Sequence, residues 1–343
     1  MFLNRLYPII QAPMAGGVST PKLAAAVSNA GGLGFLAAGY KTAEQFREEI
    51  RETKRLTDQP FGVNLFVPSL IETKESVVQK YAESIEPDVM AIGAELGEIK
   101  QDDDDWENKL HVIEEESVAI VSFTFGCPTS GVIERVKQSG VYVIVSVTNP
   151  DEAILAAKAG ADAICAQGVE AGGHRASFTD GEEDSKLRDL IRLIVKSVDI
   201  PVIAAGGIMG GKDILEVMEC GAVAAQLGTA FLLSPESGTN PVQKEALQHS
   251  DFTQTAITRA FTGRRARGLV NKFLTKHSDT APSAYPYIHQ LTQPMRKKAG
   301  KTHKPEYMSL WAGEGYRLAE NLPAAEIVRK LVEDMGSEGG QNG

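Results

Sequence analysis

VYVIVSVTNPDEAILAAKAGADAICAQ, residues 141–167, holds the fold in miniature. Its first seven residues are apolar almost throughout and rich in valine, with none of the alternation of a half-exposed strand. A strand of that kind is buried on both faces, as in a parallel sheet. Asn-Pro-Asp-Glu at residues 149–152 then opens a helix, with a capping asparagine and a proline at the first helical position. AICAQ, residues 163–167, is a second buried strand. Two such strands joined by a helix form a βαβ unit.

The same unit recurs in both directions. Upstream, strands are expected at residues 7–14 (YPIIQAPM), 33–38, 62–66 (GVNLF) and 118–125 (VAIVSFTF). Helices at 20–29 and 42–53 fill the first gaps, each opened by a threonine. Downstream, strands at 201–205 (PVIAA) and 222–227 (AVAAQL) alternate with helices at 187–197 and 214–220. Eight strands with helices between them predict an α/β fold, a (β/α)8 TIM barrel. A doubly wound open sheet is the competing arrangement, and the lack of GxGxxG after the first strand counts weakly against its dinucleotide-binding form.

Two regions break the rhythm. Residues 71–116 read as helical and acidic, and their DDDD run at 102–105 as a solvated helix start. Residues 234–306 read as a helical, polar cap subdomain over the barrel, which itself takes residues 1–233 and 307–335. Residues 307–335 return to helical periodicity and supply the last barrel helix, and residues 336–343 read as a disordered tail.

The 343 residues carry a net charge of −10, which argues against a nucleic-acid or anionic-membrane partner. Cys127, Cys165 and Cys220 are too few and too scattered for a disulfide framework, and no zinc spacing appears. Residues 1–14 lack the apolar core of a signal peptide, and no apolar run is long enough to span a bilayer, so a cytoplasmic location is expected.

A barrel puts its chemistry at the carboxyl ends of its strands. After strands seven and eight those ends read AGGIMGG and QLGTAF. Gly206, Gly207, Gly228 and Thr229 therefore predict a phosphate cradle of bare backbone N–H groups. Asn64, Gln167 and Gln226 sit in or just after apolar strands, where a buried amide must find partners. Each alone could be satisfied by nearby backbone. Together they suit a flat heteroaromatic ring such as an isoalloxazine. EAGGHR, residues 170–175, places His174 after two glycines that would bring the loop close to such a ring. An imidazole there can take a proton from a carbon acid or donate to a developing anion, with Glu170 orienting the loop.

QAPMAGGVSTPKLAAAVSNAGGLGFLAAGY, GVNLF, VSFTFGCP, AQGVEAGGHR, AAGGI and QLGTAF, in this order, resemble the nitronate monooxygenases, formerly 2-nitropropane dioxygenases. FTGRRARGLVN and SLWAGEG extend the resemblance towards the end of the chain. It implies an FMN-dependent (β/α)8 enzyme with a helical cap. It implies FMN contacts at Met14, Asn64, Gln167, Gly172, Gly207, Gln226, Leu227, Gly228 and Thr229, and His174 as the catalytic residue. Tyr285, Tyr287 and Lys297 or Lys298 are implied candidates for the substrate pocket. The implied reaction is oxidation of alkyl nitronates, with toxic propionate 3-nitronate as the physiological substrate, by O2 through a flavin semiquinone to a carbonyl compound and nitrite. The alternatives are an FMN-dependent NAD(P)H reductase of the enoyl-acyl-carrier-protein or quinone reductase type, and a flavin-binding protein without turnover. Monomer and homodimer both stay open.

Overall fold

The computed structural model describes residues 6–68, 73–181 and 183–339. Met1–Arg5, within the stretch read for a signal peptide, and residues 71 and 72, at the start of the acidic stretch, lie outside the described residues.

Eight parallel strands form one sheet: β1 Ile9–Gln11, β2 Phe35–Ala37, β3 Gly62–Phe66, β4 Ile120–Thr124, β5 Tyr142–Val147, β6 Ala163–Gln167, β8 Val202–Ala205 and β9 Ala224–Leu227. A two-residue strand, β7 Gly173–His174, lies outside it. The order β1-β9-β8-β6-β5-β4-β3-β2 runs around a barrel whose open seam lies between β1 and β2. Gln11 N–H donates to the Leu33 carbonyl at 2.9 Å, and Leu33 N–H donates to Ile9 at 2.9 Å. The Gln11 side chain continues the seam, because its Oε1 accepts the Phe35 N–H at 2.9 Å. The sheet therefore closes into the expected (β/α)8 barrel.

Local signals account for the helices between strands. Thr20 caps Pro21–Asn29 and Thr42 caps Ala43–Leu56 through a capping box. Asn149 Oδ1 accepts the Glu152 N–H at 2.9 Å to start Pro150–Ala159. Helix Ser130–Gln138, between β4 and β5, was not foreseen, although Thr129 caps it. Ile10, Phe35, Ile120, Ile144 and Ile203 fill the barrel interior. Gly62 has to be glycine there, since a Cβ would lie 2.3 Å from the Phe35 ring.

The acidic run is less solvated than expected. Asp104 Oδ1 accepts the Tyr40 N–H at 2.8 Å, and its Oδ2 lies 2.8 Å from Nζ of the buried Lys109. Asp105 Oδ2 accepts the Ala43 N–H at 2.7 Å. The run pins the chain leaving β2.

The segment read as a helical cap also contains a β-hairpin, β10 Thr255–Thr258 with β11 Ala266–Leu269. β11 also pairs antiparallel with β7, His174 opposite Ala266. One apolar cluster joins Val78, Tyr81, Ile85 and Val89 of helix Glu75–Ala91 to Phe261, Phe273, Ile288, Leu291 and Met295. Two separate insertions therefore share one core above the barrel. The last helix spans only Ala324–Gly339. It takes in residues 336–339 of the tail expected to be disordered, while residues 340–343 lie outside the described residues.

Candidate active site

The strands' carboxyl ends surround a cavity of about 530 Å3. Ser146 stands beside Cys165 and Ala205 beside Gln226 in the parallel register, and all four residues line the cavity. Burial pushes the Cys165 thiol up to about 12 and the Cys127 thiol to about 11, so neither is a thiolate at neutral pH.

At one end the wall is backbone. Gly206 (φ 118°) and Gly207 (φ 71°) adopt left-handed conformations that glycine tolerates. Among the described residues, the N–H groups of Gly207, Gly228 and Thr229 have no acceptor. The Thr229 hydroxyl accepts the Gly313 N–H at 3.0 Å and keeps its own hydrogen to donate.

The amides diverge in role. Asn64 Nδ2 donates to the Ser122 hydroxyl at 2.8 Å and the Thr124 hydroxyl at 3.0 Å, which aligns its amide at the cavity edge. The Gln226 side-chain amide has no hydrogen-bond partner among the described residues, and the residue lines the cavity. Gln167 is held at both ends: Nε2 donates to the His174 carbonyl at 3.0 Å, and Oε1 accepts from Arg175 Nη1 at 3.0 Å and Ala176 N–H at 2.9 Å. It clamps the segment that carries His174.

Gly172 has a different reason from the one the sequence suggested. A Cβ there would meet Gly313 N at 2.4 Å and the Ala312 carbonyl carbon at 2.5 Å. The glycine admits the strap of residues 309–315, which closes over the cavity with Trp311, Gly313 and Gly315 in its wall. Glu170 does orient its loop: its carboxylate accepts the Leu187 N–H at 3.1 and 3.2 Å. Arg175 is buried and donates to the Gly168 carbonyl at 2.6 Å, a brace for the same loop.

His174 lies in the cavity wall among rings: Trp311 at 5.4 Å, Phe125 at 5.6 Å and Tyr285 at 6.1 Å between centroids. Its Nε2 is 3.0 Å from Thr262 Oγ1. Burial, reinforced by the positive charges of Arg264 and Arg296, pushes its pKa down to about 3, so the imidazole is neutral at physiological pH. Arg264 is buried, with its guanidinium 4.2 Å above the Phe125 ring. Arg296 lines the cavity and donates to the His289 carbonyl at 2.8 Å. Burial lowers its pKa to about 10, which still leaves it charged. Among the described residues neither arginine has a carboxylate partner, and no acid lines the cavity.

Tyr40 stacks on His289 with centroids 4.2 Å apart and planes 6° from parallel. Tyr40 (φ 68°) and Phe125 (φ 76°) leave their strands in the left-handed region, which costs about 1–3 kcal/mol each and turns both rings towards the cavity. The Asp104 bond to Tyr40 N–H is one restraint that holds this shape.

Met14, Asn64, Gln167, Gly172, His174, Gly207, Gln226, Gly228 and Thr229 are thus brought together around one cavity. Leu227 is not in the wall: its side chain packs in the core behind β9. Tyr285 reaches the Tyr40 hydroxyl at 3.5 Å. Tyr287 packs on the cluster above the barrel, and Lys297 is exposed on helix Tyr287–Lys301. On that helix His289, Gln293 and Arg296 face the cavity at spacings of four and three. That spacing was available in the sequence, whereas Tyr40, Thr262, Arg264 and Trp311 carried no comparable local signal. Among the described residues, no group of three or more His, Cys, Asp or Glu is placed to hold a metal ion, and no helix is long and apolar enough to cross a membrane.

The family model described as nitronate monooxygenase matches residues 2–334. A nitronate monooxygenase of Pseudomonas aeruginosa is 42% identical over 337 residues, 96% of each chain. A probable nitronate monooxygenase of Staphylococcus haemolyticus is 40% identical and covers 97% of this chain and 95% of its own. Among solved structures, a nitroalkane oxidase from Streptomyces ansochromogenes superposes with a TM-score of 0.96 at 46% identity, covering 99% of this chain and 98% of its own. FabK from Thermotoga maritima superposes with a TM-score of 0.78 at 29% identity, covering 99% and 96%.

Proposed function

The chain belongs to the nitronate monooxygenase family, and from that membership we propose an FMN-dependent enzyme that oxidises alkyl nitronates with O2 to carbonyl compounds and nitrite. Propionate 3-nitronate, a toxic anion with a second negative group, is the substrate we favour, and its removal the purpose. The observation that carries this reading is the neutral His174 in a cavity lined by Arg296 and by no carboxylate, with the buried Arg264 behind its wall. Such a site attracts an anion although the whole chain is acidic.

The residues present fit FMN. The cavity is within the roughly 300–1,000 Å3 of small-ligand sites. The free N–H groups of Gly207, Gly228 and Thr229 suit a phosphate, with the Thr229 hydroxyl as a further donor. Asn64 and the unpaired Gln226 amide would hydrogen-bond a polar ring, Met14 and Gly172 would border it, and Leu227 would contribute backbone only. FMN would supply the redox chemistry between nitronate and O2.

The protein's own work is electrostatic and steric. Arg264 and Arg296 draw the nitronate to His174. The same imidazole, unprotonated in this site, would take the α-proton of a neutral nitroalkane, and the nitronate anion formed beside it would stabilise the imidazolium that burial alone disfavours. Residues 234–306, with helix Glu75–Ala91, would serve as the cap that keeps bulk water from the site.

Anaerobic mixing of the yellow holoprotein with ethylnitronate tests this. Loss or reddening of the flavin absorbance is expected, followed by nitrite on admission of air. Reduction by NADH and not by nitronate would replace it with a second reading, an FMN-dependent NAD(P)H reductase, which draws on the overlap with FabK.

A further inference from the structure

We infer that Thr262 is the positioning residue of His174: its hydroxyl holds the imidazole as the Nε2–H tautomer and leaves Nδ1 as the nitrogen that accepts the substrate's proton. This rests on the reading of His174 as the base.

A count of hydrogens carries the argument. Thr262 is buried, 1% exposed, in the turn between β10 and β11. Its Oγ1 lies 3.1 Å from the Arg264 carbonyl oxygen, which can only accept. A threonine hydroxyl has one hydrogen, and the bond to Arg264 uses it. Among the described residues that carbonyl has no other donor, so turning the hydroxyl away would leave a buried acceptor unpaired. Oγ1 therefore faces His174 with a lone pair, at 3.0 Å from Nε2, and Nε2 must carry the hydrogen. The Arg264 N–H at 3.4 Å adds a second, weaker donor to the same oxygen and again leaves it the acceptor.

The ring is held in place from its backbone as well. Gln167 Nε2 donates to the His174 carbonyl, and His174 pairs with Ala266 in the small sheet. Trp311 and Tyr285 flank the imidazole. Nδ1 has no partner among the described residues, so it is the nitrogen open to a ligand. In the step this serves, the α-C–H bond of a neutral nitroalkane breaks. The proton passes to Nδ1, the electron pair stays on the carbon and nitro group as the nitronate, and the imidazole becomes imidazolium. No oxidant is consumed. Thr262 touches neither substrate nor cofactor in this scheme and acts through the histidine.

The test is nitrogen NMR of the FMN-bound full chain labelled at its six histidines, with His174 assigned by its loss in His174→Gln. The expected wild-type signature is a protonated Nε2 and an unprotonated Nδ1. Thr262→Val keeps the shape and removes the acceptor. It should shift population towards Nδ1–H and lower kcat on nitroethane by about tenfold or more, with KM little changed. Thr262→Ser should restore both. A protonated Nδ1 in wild type overturns the inference, as does a valine variant with unchanged spectrum and rate. If the valine variant does not fold, the other two proteins decide: a serine variant without the wild-type tautomer also overturns it. The spectrum does not require turnover. The expected tautomer in a protein that never oxidises nitronates would refute the proposed reaction while supporting the hydroxyl's hold on the ring.

Discussion

Gly172→Ala probes the closure of the cavity most directly. The added Cβ would sit 2.4 Å from Gly313 N and 2.8 Å from Ala312 Cα, both backbone, so no flexible side chain can yield. Ordinary contact begins near 3.4 Å, so the strap must retreat by about 1 Å. Overpacking of this kind costs about 1–3 kcal/mol. Displacing Gly313 also weakens its N–H bond to Thr229, at about 1 kcal/mol. With an unfolding entropy near 2.1 cal/mol/K per residue, a loss of about 2–4 kcal/mol lowers Tm by about 3–6 °C. Because Thr229 belongs to the proposed phosphate cradle, FMN should also bind more weakly. Thermal unfolding followed by flavin fluorescence, with an FMN titration, measures both. Gly173→Ala is the control: a Cβ there meets nothing within 4 Å, and only its φ of 75° is strained, so Tm should fall less. A Gly172→Ala protein with wild-type Tm and wild-type FMN affinity would refute the close approach of strap and loop.

Other expectations concern the chemistry. His174→Asn should retain FMN and lose activity on neutral nitroalkanes by about 100-fold or more, but much less on preformed nitronates; steady-state rates with nitroethane and ethylnitronate decide, and equal losses would assign the histidine to positioning alone. Arg296→Met removes a cavity cation that lacks a carboxylate partner, so KM for the doubly charged propionate 3-nitronate should rise about tenfold or more, and that for the singly charged ethylnitronate by less. Acid stability should depend on His174. Its folded pKa of about 3 lies below the unfolded value of 6.5, so between those pH values the unfolded chain binds the proton first and stability falls as pH drops. The slope from this one group is about 1.4 kcal/mol per pH unit at most, and it fades within about one pH unit above 6.5. Urea unfolding at pH 7.5 and pH 4.5 should therefore show a smaller loss for His174→Asn than for wild type, and equal losses would contradict the burial of the imidazole.

The barrel was legible because each of its signals is local. A strand buried on both faces declares itself by an unbroken apolar run, as VYVIVSV does, and a capped helix start by its own residues, as Asn149 does. The glycine-rich ends at Gly206–Gly207 and Gly228 were readable for the same reason. The reading of a helical cap did not include β10 and β11, whose partner β7 lies some ninety residues upstream. The acidic run looked like a solvated helix start because its contacts, with Tyr40 and Ala43, come from the far side of β3.

What the sequence by itself determined is the alternation of strands and helices, the ends at which chemistry gathers and the presence of an imidazole among them. Only the tertiary structure decided that Arg296 and not Lys297 meets the cavity, since one residue along a helix turns a side chain by about 100°. It alone decided that Gln11 closes the seam and that Gly172 makes room for a strap from the other end of the chain. It also brought Thr262 to His174, eighty-eight residues away. Short-range propensity carries no term for such distant pairs, because their energies arise only once the barrel has brought the segments together.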